Sequence, residues 1–96
     1  MSKFERIIVS RHPAAIEFIR EMIGTGTPIL ASASIDDVRG KVVYGNIPLH
    51  LAAAAKMVVA VEFEGTPPRG AEYSLEDMKA AGARLVRYVV RVPEEG

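Results

Sequence analysis

Arg11 and His12 are the residues of this sequence best placed to do chemistry. They stand side by side between an apolar, β-branched run, Arg6-Ile7-Ile8-Val9-Ser10, and Pro13, which opens an amphipathic helical pattern. A guanidinium offers planar, paired donors that match phosphate oxygens. An imidazole adds a second donor, or an acid–base group that titrates near neutral pH. The place itself favours anions, because a strand running into a helix N-terminus gathers free N–H groups and the positive end of the helix dipole. Ser10 ends the strand at the same turn and is grouped with the ligand-binding residues, although nothing marks it, or Ser32, as a nucleophile. The same turn also reads as an ordinary helix start, with a capping histidine and a surface arginine.

Two further stretches carry polar residues beside glycine and proline. Gly45-Asn46-Ile47-Pro48 is a second strand-to-helix turn. There Gly45 can let backbone approach a ligand closely, with Asn46 near the N-cap and Pro48 in the first helical turn. A plain helix start accounts for most of that pattern. The third stretch is the loop Glu64 to Tyr73, in which Arg69 sits between Pro68 and Gly70, so that an arginine is held at low entropic cost. Its alternative is a solvated crossover. Glu62, Glu64 and Glu72 make no paired-carboxylate signature, and no P-loop, GxGxxG, HExxH or GxSxG pattern occurs. With no cysteine and two distant histidines, the sequence predicts neither a metal site nor a cofactor.

The elements that must position these residues follow from apolar periodicity. After Pro13, Ala15, Ile16, Phe18, Ile19, Met22 and Ile23 form one helical stripe, and Gly24 ends it. Ile29 to Ser32 and Lys41 to Tyr44 read as short strands. Between them Ser34 and Asp37 have nearly the spacing of a capping box. Leu49 to Ala55 reads as a slim, alanine-rich helix. Met57 to Phe63 is the strongest strand, and its near-continuous apolar run predicts a central position covered on both faces. Ser74 and Asp77 start a short helix that Gly82 ends, and Leu85 to Val92 is the last strand.

Strands alternating with helices predict an α/β fold: one Rossmann-like domain over 1–93, with a mainly parallel sheet of about five strands, flanking helices, and a flexible tail at 94–96. In such sheets ligands bind beyond the carboxyl ends of the strands. Parallel strands therefore gather all three polar stretches on one edge, and this convergence says more than any single motif.

The chain has 96 residues, 12 basic against 12 acidic, and no formal net charge. A protein that coats long nucleic acid usually needs a basic surface, so a small anionic ligand held by local donors fits better. No apolar run reaches the roughly 18 residues of a membrane span, and the N-terminus lacks the apolar region of a signal peptide. A soluble, cytoplasmic protein without a membrane partner is expected.

Taken together, Arg11-His12-Pro13 followed by Ala-Ile-Glu-Phe, then Gly45 to Ala52, then Pro68 to Ser74 with Met78 and Gly82-Ala83, resembles one family over nearly the whole chain. It is that of the small standalone Csx-type CRISPR-associated proteins, the sixteenth Csx family, found with type III systems. The resemblance implies a ring nuclease that degrades cyclic oligoadenylate messengers, cyclic tetra-adenylate foremost. It would do so without metal, through attack of a ribose 2′-hydroxyl on the adjacent phosphate. It also implies Arg11 and His12 as the catalytic pair, Gly45 and Asn46 supporting the ligand, Arg69 as a second clamp, and a homodimer around the ring. A non-catalytic protein that binds or senses the ring, and an assembly protein docking a CRISPR effector, are the alternatives. A metal hydrolase is the poorest fit.

Overall fold

The computed structural model describes residues 5–66 and 73–94. Arg69 and the rest of 67–72 lie outside the described residues, as do 95–96 of the expected tail. The elements run β1 (Arg6–Val9), α1 (Pro13–Ile23), β2 (Ile29–Leu30), α2 (Ile35–Val38), β3 (Val42–Tyr44), α3 (Leu49–Ala54), β4 (Met57–Phe63), α4 (Leu75–Ala80) and β5 (Ala83–Tyr88). This is the expected α/β order, with a five-stranded sheet arranged β2-β1-β3-β4-β5. The first four strands are parallel. β5 alone is antiparallel, pairing with β4 from Val58↔Tyr88 to Phe63↔Ala83.

The reversal at β5 follows from lengths. β4 has seven residues and spans roughly 23 Å. α4 has six and rises only about 9 Å, too little to carry the chain back to the start of β4. The chain instead turns at Gly82, φ +78°, and enters β5 beside the end of β4. Glu64 N–H to Gly82 O, 3.1 Å, and Gly65 N–H to Ala81 O, 3.2 Å, close that return. β5 therefore starts two residues earlier than the apolar run suggests and stops at Tyr88, short of Val92.

Helices cover both faces of the sheet, unevenly. Ile8, Tyr44, Val59 and Val61 pack with Ala14, Phe18 and Ile19 of α1 and Met78 of α4. On the other face Ile7, Val9 and Val43 pack with Val38 of α2 and Leu51 of α3. Burying each large aliphatic side chain contributes about 1.5–3 kcal/mol, and Ile8, Ile19, Met78, Val38 and Val43 are fully buried. Met22, counted in the apolar stripe of α1, turns outward and is 59% exposed, while Ala14 takes a buried place. β3, and not β4, is the middle strand. On the α2–α3 side Ala60 and Glu62 of β4 are only half-buried, so β4 is not covered along both faces as its apolar run predicts. Tyr88 lies along this side and its hydroxyl donates to Glu62, which holds the Tyr88 hydroxyl above the usual tyrosine range.

The order has one consequence for the site. From β1 the chain moves outward to β2, then returns to place β3 on the other side of β1. The crossover after β1 runs through α1 on one face, and the crossover after β3 runs through α3 on the other. The loops leaving β1 and β3 therefore diverge and open a crevice at the carboxyl edge, the usual ligand position in such sheets.

Candidate functional site

A cavity of about 530 Å³ occupies this crevice. Ser10, Arg11 and His12 line it from the end of β1, Ala31, Ser32 and Ala33 from the end of β2, Asn46, Ile47 and Pro48 from the end of β3, and Val61 and Phe63 from β4. Ala15 and Ile19 of α1, with Tyr73, complete one wall. The structure thus brings Ser10, Arg11, His12, Gly45, Asn46 and Pro48 to one place. Arg69 lies outside the described residues. His50 is exposed and does not line the cavity, so His12 is the histidine at the site.

α1 opens with His12 at the N-cap, in extended conformation, and Pro13 at the first helical position. The Ser10 hydroxyl oxygen accepts the His12 N–H at 3.1 Å, which sets the turn between strand and helix. Ser10 N–H in turn donates to Leu30 O at 3.0 Å. α1 has no side-chain cap and no acidic residue in its first turn. α2 and α4 differ: Ser34 with Asp37, and Ser74 with Asp77, form complete capping boxes that satisfy their own helix starts. The cap bonds from Ser34 hold the Asp37 carboxyl below the usual aspartate range. At α1 the positive end of an eleven-residue helix is left uncompensated beside the cavity.

Arg11 is exposed, and its Nε donates to Ala31 O at 3.3 Å. That contact fixes the guanidinium across the mouth between β1 and β2, while its terminal nitrogens have no acceptor among the described residues. The His12 ring stacks on Tyr73, with centroids 4.1 Å apart and planes 23° apart. Both its ring nitrogens are closed off from solvent and neither has a hydrogen-bond partner among the described residues. An unpaired buried imidazole is unusual, since most buried polar atoms find a partner.

Two residues of the second turn do something other than what their types suggest. Gly45 has φ +137°, and a Cβ there would lie 2.1 Å from Val9 O. The close approach that demands glycine comes from the end of β1, not from a ligand. Asn46 does not cap α3. Its Nδ2 donates to Val61 O at 3.1 Å, and Val61 N–H donates to its Oδ1 at 2.8 Å. The side chain extends the β3–β4 ladder past Gly45, whose own N–H donates to Val59 O at 3.0 Å. The cap of α3 is Pro48, whose carbonyl accepts from Leu51 and Ala52.

Sequence reasoning missed Tyr73, Phe63 and the Ala31–Ala33 segment as wall residues. Tyr73 carried a readable signal. It directly precedes the Ser74 N-cap, the position whose apolar side chain packs against the fourth helical residue, here the fully buried Met78. Among the described residues, no group of three or more His, Asp or Glu is arranged to hold a metal ion, and no helix is long and apolar enough to cross a membrane.

Comparison with known proteins gives one match. No curated protein and no solved structure matches the chain. The model of the family described as "Putative CRISPR-associated protein (Cas_VVA1548)" matches residues 7–91, from the first strand to beyond the last and across every residue lining the cavity. The chain belongs to this CRISPR-associated family.

Proposed function

We propose that this protein is a ring nuclease, opening cyclic oligoadenylate messengers of type III CRISPR systems, with cyclic tetra-adenylate as the first substrate to test. Family membership supports the CRISPR setting, and the resemblance in the three polar stretches supports the ligand. The observation that carries the chemistry is the Arg11–His12 turn, set at the uncapped start of α1 on the cavity at the strand-order switch.

The reaction asks little of the protein beyond alignment and charge stabilisation. A ribose 2′-oxygen bonds to the adjacent phosphorus while the bond from phosphorus to the 5′-oxygen breaks. The 2′-hydroxyl gives its proton to water, the 5′-oxygen leaves with a proton from the acid, and the products are a 2′,3′-cyclic phosphate and a 5′-hydroxyl, with no net change in protons. Arg11, with its terminal nitrogens unspent, binds the non-bridging oxygens as charge builds on them. His12 is the donor or acid for the leaving oxygen. Ser10 and the first N–H groups of α1 hold the phosphate, and Arg69 is the second clamp. Gly45, Asn46 and Pro48 shape the wall against which the ligand lies. No metal or cofactor takes part.

A ring of four nucleotides is bulkier than a cavity of about 530 Å³. Two copies related by a two-fold axis offer the repeated phosphates two equivalent turns, so the working form is a homodimer acting in the cytoplasm.

The test is incubation with cyclic tetra-adenylate in excess EDTA, with products separated by chromatography, for wild type and Arg11→Ala. Linear products ending in a 2′,3′-cyclic phosphate, lost in the variant, are expected. Tight binding with the ring left intact refutes the nuclease reading and makes the protein a sensor. Absence of any affinity leaves the assembly role.

A further inference from the structure

Beyond phosphate, the cavity has a second half that the Arg11–His12 turn does not use. Ala15, Ile19, Phe63 and Tyr73 give it an apolar wall beside the polar residues. Tyr73 is fixed there from two sides. Its neighbour Ser74 is locked by the reciprocal bonds of a capping box, 2.9 Å and 3.1 Å. Its ring packs on the core cluster that contains Met78 and stacks face-on against His12. A tyrosine held this way is a rigid surface with little ordering cost left to bind against. A bare phosphate would meet only the polar half of the cavity. A ligand that carries a flat ring next to its phosphate meets both.

We infer that Tyr73, backed by His12, is a stacking platform for a purine base, and that it makes the site selective for a purine nucleotide over the same sugar phosphate without its base. This rests on reading the cavity as a nucleotide site, though not on ring cleavage. With centroids 4.1 Å apart, the two rings leave no room for a third between them, so the base adds to the pair from the cavity side. Stacking on an aromatic side chain tolerates any base, and the larger face of a purine gains more than that of a pyrimidine.

The experiment is titration of the intact protein with 5′-AMP, 5′-UMP and ribose 5-phosphate, by calorimetry and by NMR of the aromatic signals. The variants are Tyr73→Phe, which keeps the ring, and Tyr73→Leu, which keeps an apolar side chain ahead of the Ser74 cap and removes the ring. 5′-AMP is expected to bind about tenfold or more tightly than ribose 5-phosphate, with 5′-UMP between them and with Tyr73 ring shifts only when a base is present. Tyr73→Phe keeps the advantage of 5′-AMP. Tyr73→Leu erases it and leaves ribose 5-phosphate unchanged. Equal affinities for 5′-AMP and ribose 5-phosphate, equal weakening of both in Tyr73→Leu, or no binding of either probe overturns the inference. The two readings fail separately. Base-dependent binding with an intact cyclic tetra-adenylate ring refutes the nuclease alone, and ring opening without base-dependent binding refutes the platform alone.

Discussion

Gly45→Ala tests whether the second turn is built around strand geometry or around a ligand. A Cβ at position 45 would sit 2.1 Å from Val9 O and 3.1 Å from Val9 C. The obstacle is backbone of the adjoining strand, which cannot swing aside as a flexible side chain could. The φ of +137° adds a second penalty, because side chains rarely adopt that conformation. Strain of this kind costs about 1–3 kcal/mol, and overpacking costs a further 1–3 kcal/mol or so. A loss of about 3 kcal/mol is therefore expected, set against a total stability on the order of 5–14 kcal/mol for a chain of this length. Two other glycines separate the contributions. Gly40 has φ +71° with nothing near its missing Cβ, so Gly40→Ala carries only the conformational penalty, about 1 kcal/mol. Gly26 has neither positive φ nor neighbour, so Gly26→Ala should change little. Urea unfolding with a common slope gives all three. If Gly45→Ala costs no more than Gly40→Ala, the contact with Val9 is not what demands glycine, and the site wall is assembled in some other way.

The remaining predictions concern bonds that the fold has already made. Asn46→Ala removes both bonds to Val61, which are 3.1 Å and 2.8 Å, and should cost about 1–3 kcal/mol at roughly 0.5–1.5 kcal/mol per bond, measured by urea unfolding. Arg11→Ala should leave thermal stability nearly unchanged, since Arg11 is exposed and holds a single 3.3 Å bond, while it removes affinity for cyclic tetra-adenylate. Met78→Ala should cost about 2–5 kcal/mol in the same unfolding assay, because Met78 is fully buried between α1, α4 and the sheet. Asp37 titrates below the usual aspartate range because its cap bonds favour the carboxylate. Its contribution is present above the unfolded value near 3.8 and is lost as pH falls through the lower folded value. A melting series from pH 6 to pH 2 should lose part of its acid dependence in Asp37→Asn.

Much of the architecture was readable because it rests on local rules. Pro13 and Gly24 bracket α1, Ser74 announces α4, and Met57–Phe63 is β4 to the residue, whereas the Ser34 cap was visible but the four-residue α2 was too short to be read as a helix. What failed depended on geometry between elements. Nothing local distinguishes β4 as an inner strand from β3 as the middle one, because apolar content reports burial and not order. The direction of β5 depends on the length of α4 against that of β4. Its range was misplaced because Val89 and Val92 are apolar yet 63% and 76% exposed. At the site, the meeting of the turns after β1 and β3 was legible from strand alternation alone. The partners were not. Asn46 has the residue type of a helix cap, and only the end of the β3–β4 ladder gives its amide a better use.

Those partners divide the cavity wall into two kinds of residue. Gly45 and Asn46 have their special properties consumed by the fold: a missing Cβ by Val9, and an amide by Val61. The Ser10 oxygen accepts from the His12 N–H, which leaves its own proton free to donate. Arg11 and His12 keep donors and acceptors that nothing in the described chain uses. A turn that needed these two residues only for capping would not leave an imidazole unpaired, nor spend one nitrogen of a guanidinium on orienting the other two. The fold carries this cost at the start of its longest described helix, which has neither a side-chain cap nor an acidic first turn. Changes at Gly45 and Asn46 should therefore fall first on stability, and changes at Arg11 and His12 first on ligand. A scan in which the two groups behaved alike would mean that the turn after β1 is merely structural.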